Sequence, residues 1–550
     1  MKTPSLWSLS IIPTALLLAL PLLTVVGFVF QPAGDVWQHL ADTVLNQYIG
    51  NSLWLMLGVA TGTLLMGVSS AWLTSMCNFP GRRFFEWAML LPMALPAYII
   101  AYTYTGLLDV AGPVQTSLRE VFGWGFGDYW FPEIRSLGGA IAMLSLVLYP
   151  YVYLLTRATF LEQSMCVLEV SRSLGHGPWP TFFRLAIPMA RPAIVAGLSL
   201  ALMETLADYG TVHYFGVPTF TTGIFRTWFG LGDVAAAAQL ASLLLAFVFV
   251  LIMLERWSRR KARYHHTDNR SGGFARFPLR GREAFIATLT CLLPLLFGFI
   301  VPIAQLGWWS LRNLEEFSDP AFLSLLVNSM LLAAAAALLA LMLALLMAYG
   351  KRLHPTRPIR SMVTLAGMGY AVPGTVIAVG VMIPLAAFDN TLDSWMREHF
   401  DYSTGLLLSG SLFALLFSYL VRFLAVALNT VESGLLKIKP SIEQAARGLG
   451  RTQLGVLRSI HLPMLRGSLL TALLLVFVDV LKELPATLIL RPFNFNTLAV
   501  RAYELASDER LEAAAPAAIA IVAAGLIPIL ILSYSITRTR KLHERTAATV

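Results

Sequence analysis

The sequence predicts an all-α polytopic membrane protein. About twelve transmembrane helices are expected, in two parallel six-helix repeats related by a pseudo-two-fold axis along the membrane normal. Three observations predict this. Hydrophobic residues make up 57% of the chain and charged residues only 13%, where an ordinary soluble domain carries about a quarter charged. Twelve apolar stretches are long enough to cross a hydrocarbon core about 30 Å thick. The polar segment Leu174-Gly175 … Ile187-Pro188 also returns 275 positions later as Leu449-Gly450 … Leu462-Pro463.

In chain order the apolar stretches centre on 9–30, 51–76, 87–108, 138–157, 193–213, 235–255, 284–307, 324–349, 361–388, 405–428, 467–489 and 513–535. Several contain Pro or Gly, which a membrane bundle accommodates through neighbouring helices. The first stretch has no small-residue cleavage pattern after it and reads as a retained helix rather than a signal peptide. Orientation follows from the placement of Lys and Arg. With the N-terminus inside, the cytoplasmic segments hold 30 of the 40 basic residues and the opposite side holds 8. Both termini are therefore expected in the cytoplasm, and the +9 net charge needs no nucleic-acid partner. Cys77, Cys166 and Cys291 share no metal-ligand spacing and read as structural thiols.

Residues 1–255 form the first half and 283–550 the second. The basic, Ser-Gly-Gly-containing stretch 256–282 between them reads as a cytoplasmic linker. Its tandem His265-His266 lacks the further ligands a metal site needs. Six spans per half put both halves in the same orientation, hence an axis along the membrane normal. Asn51-Ser52 and Asn328-Ser329, and Leu95-Pro96 and Val372-Pro373, repeat at an offset of 277, which supports the duplication.

The twin polar loops, 158–192 and 430–466, carry the most specific pattern. Gly175 to Pro188 and Gly450 to Pro463 are both 13 residues, with Glu169 or Gln444 six positions before each glycine. In the second copy, Ser441 and Gln444 form a capping box, so a short helix is expected to start there. Gly450 suits a left-handed position that ends it. A second helical piece should follow and stop by Pro463. The first copy has the same stop without the cap, and Pro178 and Pro180 shape its turn. Helices of about two turns are unstable alone, so each loop reads as a knob packed against a partner.

These loops resemble the EAA signature of bacterial ABC importer permeases. Glu169-Val170-Ser171 … Gly175 … Ile187-Pro188 matches with changes at both alanines, and Gln444-Ala445-Ala446 … Gly450 … Leu462-Pro463 matches with Gln for Glu. The resemblance implies ATPase-coupling loops carried by Glu169, Ser171, Gly175, Pro188, Gln444, Ala445, Ala446, Gly450 and Pro463. It also implies two ABC ATPase subunits as partners. No G-x-x-x-x-G-K-[ST] occurs in the chain, so ATP and Mg are expected on those subunits and no cofactor on this one. Nor does any HExxH or G-x-S-x-G point to an enzyme.

Four carboxylates repeat with the loops. Glu204 and Asp208 correspond at 275 to Asp479 and Glu483, each pair spaced i, i+4 on one expected helix face. Lys482 lies beside the second pair. Each such charge facing lipid at mid-bilayer costs roughly 2.5–3.5 kcal/mol, so they must face protein, water or the membrane boundary. Pinning helix ends and lining the translocation pathway or its gate both fit, with Tyr209 a further pathway candidate. No firm metal site is assigned. The segments Asp208–Arg226 and Lys482–Ala499 resemble those of fused, two-half ferric-iron permeases. That resemblance implies a bacterial inner-membrane location and a periplasmic ferric-iron-binding protein received by outer loops such as 109–137 and 214–234. Thiamine, polyamine and phosphonate importers are the alternatives within the type. A proton-coupled secondary transporter is the alternative outside it.

Overall fold

The computed structural model describes residues 6–32, 34–162, 175, 177–260 and 276–548. In chain order its main helices are α1 (Leu6–Gly27), α2 (Leu45–Met76), α3 (Arg82–Ala88), α4 (Ala97–Leu108), α5 (Leu137–Glu162), α6 (Ile187–Ala207), α7 (Gly210–Tyr214) and α8 (Val234–Arg260). After the linker come α9 (Arg282–Leu295), α10 (Val301–Arg312), α11 (Pro320–Leu353), α12 (Arg357–Ala366), α13 (Gly374–Phe400) and α14 (Leu412–Leu436). The chain ends with α15 (Pro440–Gly448), α16 (Leu462–Leu481), α17 (Pro485–Leu490), α18 (Leu498–Ser507) and α19 (Leu511–Ala548).

Among the described residues, 11 helices are long and apolar enough to cross a membrane, or 12 if the bent pair Arg82–Ala94 and Ala97–Phe122 counts as one span. That pair turns through 92° at Leu95-Pro96. Proline drives the residue before it out of the helical region, and Leu95 is extended with ψ 115°. The repeat does the same at Val372-Pro373, where Val372 has ψ 129° and α13 starts at Gly374. The ninth expected stretch, 361–388, is therefore divided. Its start lies in the short α12, and the span proper is Gly374–Phe400.

The fifth and eleventh stretches shift the other way, to Pro178–Ala207 and Gln453–Leu481. Charged Asp208 and Lys482 end these helices, which extend instead into the polar loops. Pro188 and Pro463 are consequently not stops. A π-turn precedes each, with Ile187 N–H donating to the Phe182 carbonyl and Leu462 N–H to the Leu457 carbonyl. The widened turn shifts the hydrogen-bond register, so a proline just beyond it continues the helix.

The chain folds as two compact units, Met1–His39 with Ile224–Leu245 and Ser318–Arg501, and Leu40–Gly223 with Ala246–Phe317 and Ala502–Val550. These are not the sequence halves 1–255 and 283–550. Within the first unit α11, α14 and α16 pack on one another, and α1 packs on α12 and α13. Within the second, α2, α5 and α6 form the matching trio, while α9 packs on α2 and α3 and α10 packs on α19. The leading helix of each repeat thus packs with helices of the other repeat.

Small residues set the close approaches, as expected where lipid removes the hydrophobic drive between helices. On α2, a side chain at Gly58, Gly62 or Gly67 would collide with Ile141, Ser145 or Val152 of α5. Buried Ala333, Ala336, Ala337, Ala340 and Ala344 do the same work on α11.

The two described ends of the linker, 256–260 and 276–282, carry regular structure. Helix α8 runs on to Arg260, whereas His265 and His266 lie outside the described residues, as does Cys166. Phe277–Pro278 (β2) then pairs in parallel with Cys77–Asn78 (β1), and Leu279 N–H donates to the Asn78 carbonyl at 3.0 Å. Burial pushes the Cys77 thiol up to about 12, and the Glu283 carboxylate adds to the shift. Cys77 therefore stays a protonated, inert thiol at neutral pH. Maleimide added to the folded protein at neutral pH should leave Cys77 unlabelled, with its modification appearing on denaturation.

Candidate functional site

The second polar loop is built from α15 outward. Its helix starts at Pro440, whose fixed φ suits the first turn, with Lys439 as N-cap and no side-chain cap. The capping box expected of Ser441 and Gln444 does not form, because proline starts the helix one residue earlier and places Ser441 inside the first turn. The far end follows the sequence expectation. Gly450 has φ +83°, its N–H donates to the Arg447 carbonyl at 3.0 Å, and Arg451 N–H donates to the Ala446 carbonyl at 3.1 Å. This is a Schellman closure. Gly175 has φ +79° in the first loop, while Glu169 and Ser171 lie outside the described residues.

Burial divides α15 into two faces. Ala446 is buried and Glu443 nearly so, whereas Ser441, Ile442, Gln444, Ala445 and Leu449 are exposed. Leu449 is 87% exposed, an apolar side chain held out at the tip.

The inward face is anchored by residues the sequence did not single out. Arg352, at the end of α11, donates from Nε to Glu443 Oε2 at 3.2 Å and from Nη2 to the Ile438 carbonyl at 2.8 Å. Its Nη1 also reaches the Leu435 carbonyl. Beyond the turn, the Tyr349 hydroxyl donates to the Gln453 carbonyl at 2.8 Å, and Trp7 Nε1 donates to Gln453 Oε1 at 2.9 Å. One turn of α11 thus grips both sides of the loop, and α1 adds a third point. In the first loop the flank is held apolarly instead. Trp72 of α2 meets Phe160 and Phe182 at ring-centroid distances of 5.5 and 5.2 Å. Trp72 and Tyr349 are a repeat pair at the 277 offset.

The four carboxylates do not share helix faces as the i, i+4 spacing implied, because each helix breaks between the two members of a pair. Asp208 lies past the end of α6 with ψ 131°. Its carboxylate accepts from Thr211 Oγ1 at 2.9 Å and Val212 N–H at 3.1 Å, at the start of α7. Glu483 occupies the same place before α17 and accepts from Ala486 N–H at 3.1 Å. Both satisfy donors that a helix start leaves unpaired.

Glu483 also pairs with Arg422 of α14 at 2.7 Å, with both side chains at most 7% exposed. Next to it the Tyr419 and Thr487 hydroxyls lie 2.6 Å apart. Asp479 pairs with Lys482 at 2.8 Å, and Glu204 is half-buried on α6. Tyr209 stacks on His213 at 5.0 Å, and His213 Nδ1 lies 2.5 Å from the Tyr503 hydroxyl of α18. Among the described residues no three His, Cys, Asp or Glu side chains converge to hold a metal.

Residues 63–264 match the family model described as binding-protein-dependent transport system inner membrane component. The Fe(3+)-transport system permease protein FbpB 2 of Haemophilus influenzae is 28% identical over 506 residues, covering 89% of this chain and 90% of that protein. The molybdenum transport system permease protein ModB of Escherichia coli is 25% identical over 207 residues, 36% of this chain and 87% of its own length. The sulfate transport system permease protein CysT of Escherichia coli is 25% identical over 257 residues, 44% of this chain and 87% of its own. Residues 63–264 thus match the inner-membrane component of binding-protein-dependent transport systems, and nearly the whole chain, with its many apolar helical spans, is similar to a fused permease of the ABC-importer type, a transport component.

Proposed function

We propose that this chain carries ferric iron from a periplasmic iron-binding protein into the cytoplasm by alternating access, driven by two separate ABC ATPase subunits that bind ATP and Mg. The chain itself holds no cofactor, and both termini lie in the cytoplasm. The coupling loops 158–192 and 430–466 seat on the ATPases, and loops 109–137 and 214–234 receive the loaded binding protein. A pseudo-two-fold axis along the membrane normal relates the repeats and sets the path between them.

The observation that carries this reading is the second loop. It presents exposed Ile442 and Leu449 outward while Arg352, Tyr349 and Trp7 tie its inner face to transmembrane helices. A docked motor that pulls on such a knob moves α11 with it. Ferric iron rests on the relative that spans nearly the full chain, whereas the molybdenum and sulfate permeases cover less than half of it. Fe3+ is a hard cation that suits carboxylate and phenol oxygens, and a path must hold its cargo weakly enough to release it. Asp208 and Glu483 act in gating, since each ties the start of a short helix to a break in a span.

Uptake of radiolabelled ferric iron into proteoliposomes, with the loaded binding protein outside and ATPase and ATP within, tests the reading. Iron should accumulate only with all three components. Proton-driven uptake without the ATPase would replace this reading with a secondary transporter. Replacing Gly450 by alanine forces a side chain into the left-handed region at a cost of roughly 1–2 kcal/mol. ATP-dependent uptake should then fall severalfold with membrane insertion unchanged, and a variant with full uptake would refute the docking role of that turn.

A further inference from the structure

We propose that Tyr209, His213 and Tyr503 form a transient acceptor site for the Fe3+ cargo. The inference rests on the ferric-iron reading above and gives it a point of first contact. The three residues lie within the second compact unit yet come from both repeats, with 290 positions between His213 and Tyr503. They belong to α7 with the residue before it, and to α18. Helix α7 follows the candidate span that ends at Ala207, and α18 precedes the one that begins at Leu511. With both termini inside, these are outer ends, where cargo arrives.

The donor atoms converge. The Tyr503 hydroxyl lies 2.5 Å from His213 Nδ1, and the Tyr209 and Tyr503 hydroxyls are hydrogen-bonded to each other. The Tyr209 ring stacks on His213 at 5.0 Å and lies 6.1 Å from the Tyr503 ring. Atoms at hydrogen-bond spacing are also spaced like neighbouring ligands of an octahedral cation, about 2.9 Å apart at metal–oxygen distances near 2.0 Å. Tyr209 and Tyr503 are buried, whereas His213 is exposed, so the imidazole opens the cluster to water. The Asp208 carboxylate acts on Tyr503 and adds a field that favours a cation. Arg135, over the adjoining Tyr214 ring at 5.3 Å, is met by Asp109 and Glu509. On binding, each phenol oxygen bonds to iron and gives its proton to water, two protons in all, and no electron moves. Phenolate oxygen is a hard donor suited to a hard trivalent ion. Three protein donors leave the other positions to water, a hold weak enough for release.

The other repeat shows that these side chains are not needed to form the short helix. At the 275 offset Tyr209 and His213 become Leu484 and Leu488. Helix α17 forms all the same, with Glu483 taking the role of Asp208 at its start. A phenol and an imidazole present in one half alone therefore point to a task other than packing. A single cargo ion needs a single such site.

The test uses the full-length chain in detergent, titrated with ferric nitrilotriacetate and read by the phenolate-to-iron charge-transfer absorption in the visible. Ferric uptake into proteoliposomes is measured alongside. The wild type should show the band, and gallium(III), a similarly hard ion without such a band, should compete it away. Tyr503→Phe and Tyr209→Phe should each weaken binding about tenfold or more. Tyr209→Leu/His213→Leu, which copies the other repeat, should abolish the band while the protein elutes and melts as the wild type does. Uptake should fall in the same order. Tyr402→Phe, which alters an exposed phenol elsewhere, should leave every readout unchanged. Ferric uptake by the wild type without a band, or a band that persists in the double variant, would overturn the site and leave the ferric reading standing. No ferric uptake by the wild type would overturn that reading and the site with it.

Discussion

Replacing Arg352 by alanine should lower ATP-dependent uptake by about tenfold or more while leaving the protein inserted and helical. The side chain ties α11 to the second coupling loop through Glu443 and the carbonyls of Ile438 and Leu435. With the pair only 17% and 12% exposed, solvent screens it weakly. Hydrogen bonds to a charged group contribute roughly 1.5–3 kcal/mol each, so losing this set frees the loop from the helix it must move. Arg352→Lys keeps the charge but not the planar fork, and should recover activity only in part. Glu443→Ala should follow Arg352→Ala, and the double variant should be little worse than either single one. Proteolysis near Leu449 should rise in all three. Full uptake by Arg352→Ala would show that motion reaches the membrane by another route.

The largest effect on stability is expected at Arg422. Replacing it by leucine leaves Glu483, 4% exposed, as an uncompensated buried charge, at a cost of about 3–5 kcal/mol. Removing both charges, as in Arg422→Leu/Glu483→Leu, should restore much of that loss, since a buried ion pair and an apolar pair of similar volume are often equivalent. Glu483→Gln keeps an oxygen that can accept from Ala486 N–H but leaves the Arg422 guanidinium without its counter-charge, so it should destabilise more than the double replacement. A third position probes the same contact. A methyl on Gly374 would overlap both Arg422 Nη1 and Glu483 Oε1, so Gly374→Ala should mimic Arg422→Leu. Thermal unfolding and recovery from size-exclusion chromatography read the series. If Arg422→Leu melts with the wild type, the pair does not brace the break between α16 and α17.

Much of this was legible in the residues. The X-Pro steps that break both repeats, and the two glycines that require positive φ, are local backbone chemistry and appear directly in the sequence. Pro188 and Pro463 misled because a proline after a helical run normally stops it, and nothing in composition reveals a π-turn just before it. The capping box failed through a competing local signal one residue away, Pro440. The carboxylate pairs had the right partners in the repeat but the wrong geometry, because i, i+4 spacing assumes an unbroken helix. The anchor itself was invisible. Arg352 reads as one more positive-inside charge, and Glu443 stands one position from the residue the motif singles out. Only the packing of distant helices gives either a role.

Because α1 packs on Gly350 of α11 and Gly380 of α13, and α9 packs on α2 and α3, cutting the chain between residues 260 and 276 would not release two independent proteins. Each fragment would be missing a helix that the other owns, so expressed alone each should be degraded. Expressed together they should reassemble without any covalent join, with the traded helices among the contacts that hold them. Fusion in this protein is thus a matter of supply in equal amounts, and the interlock would hold without it.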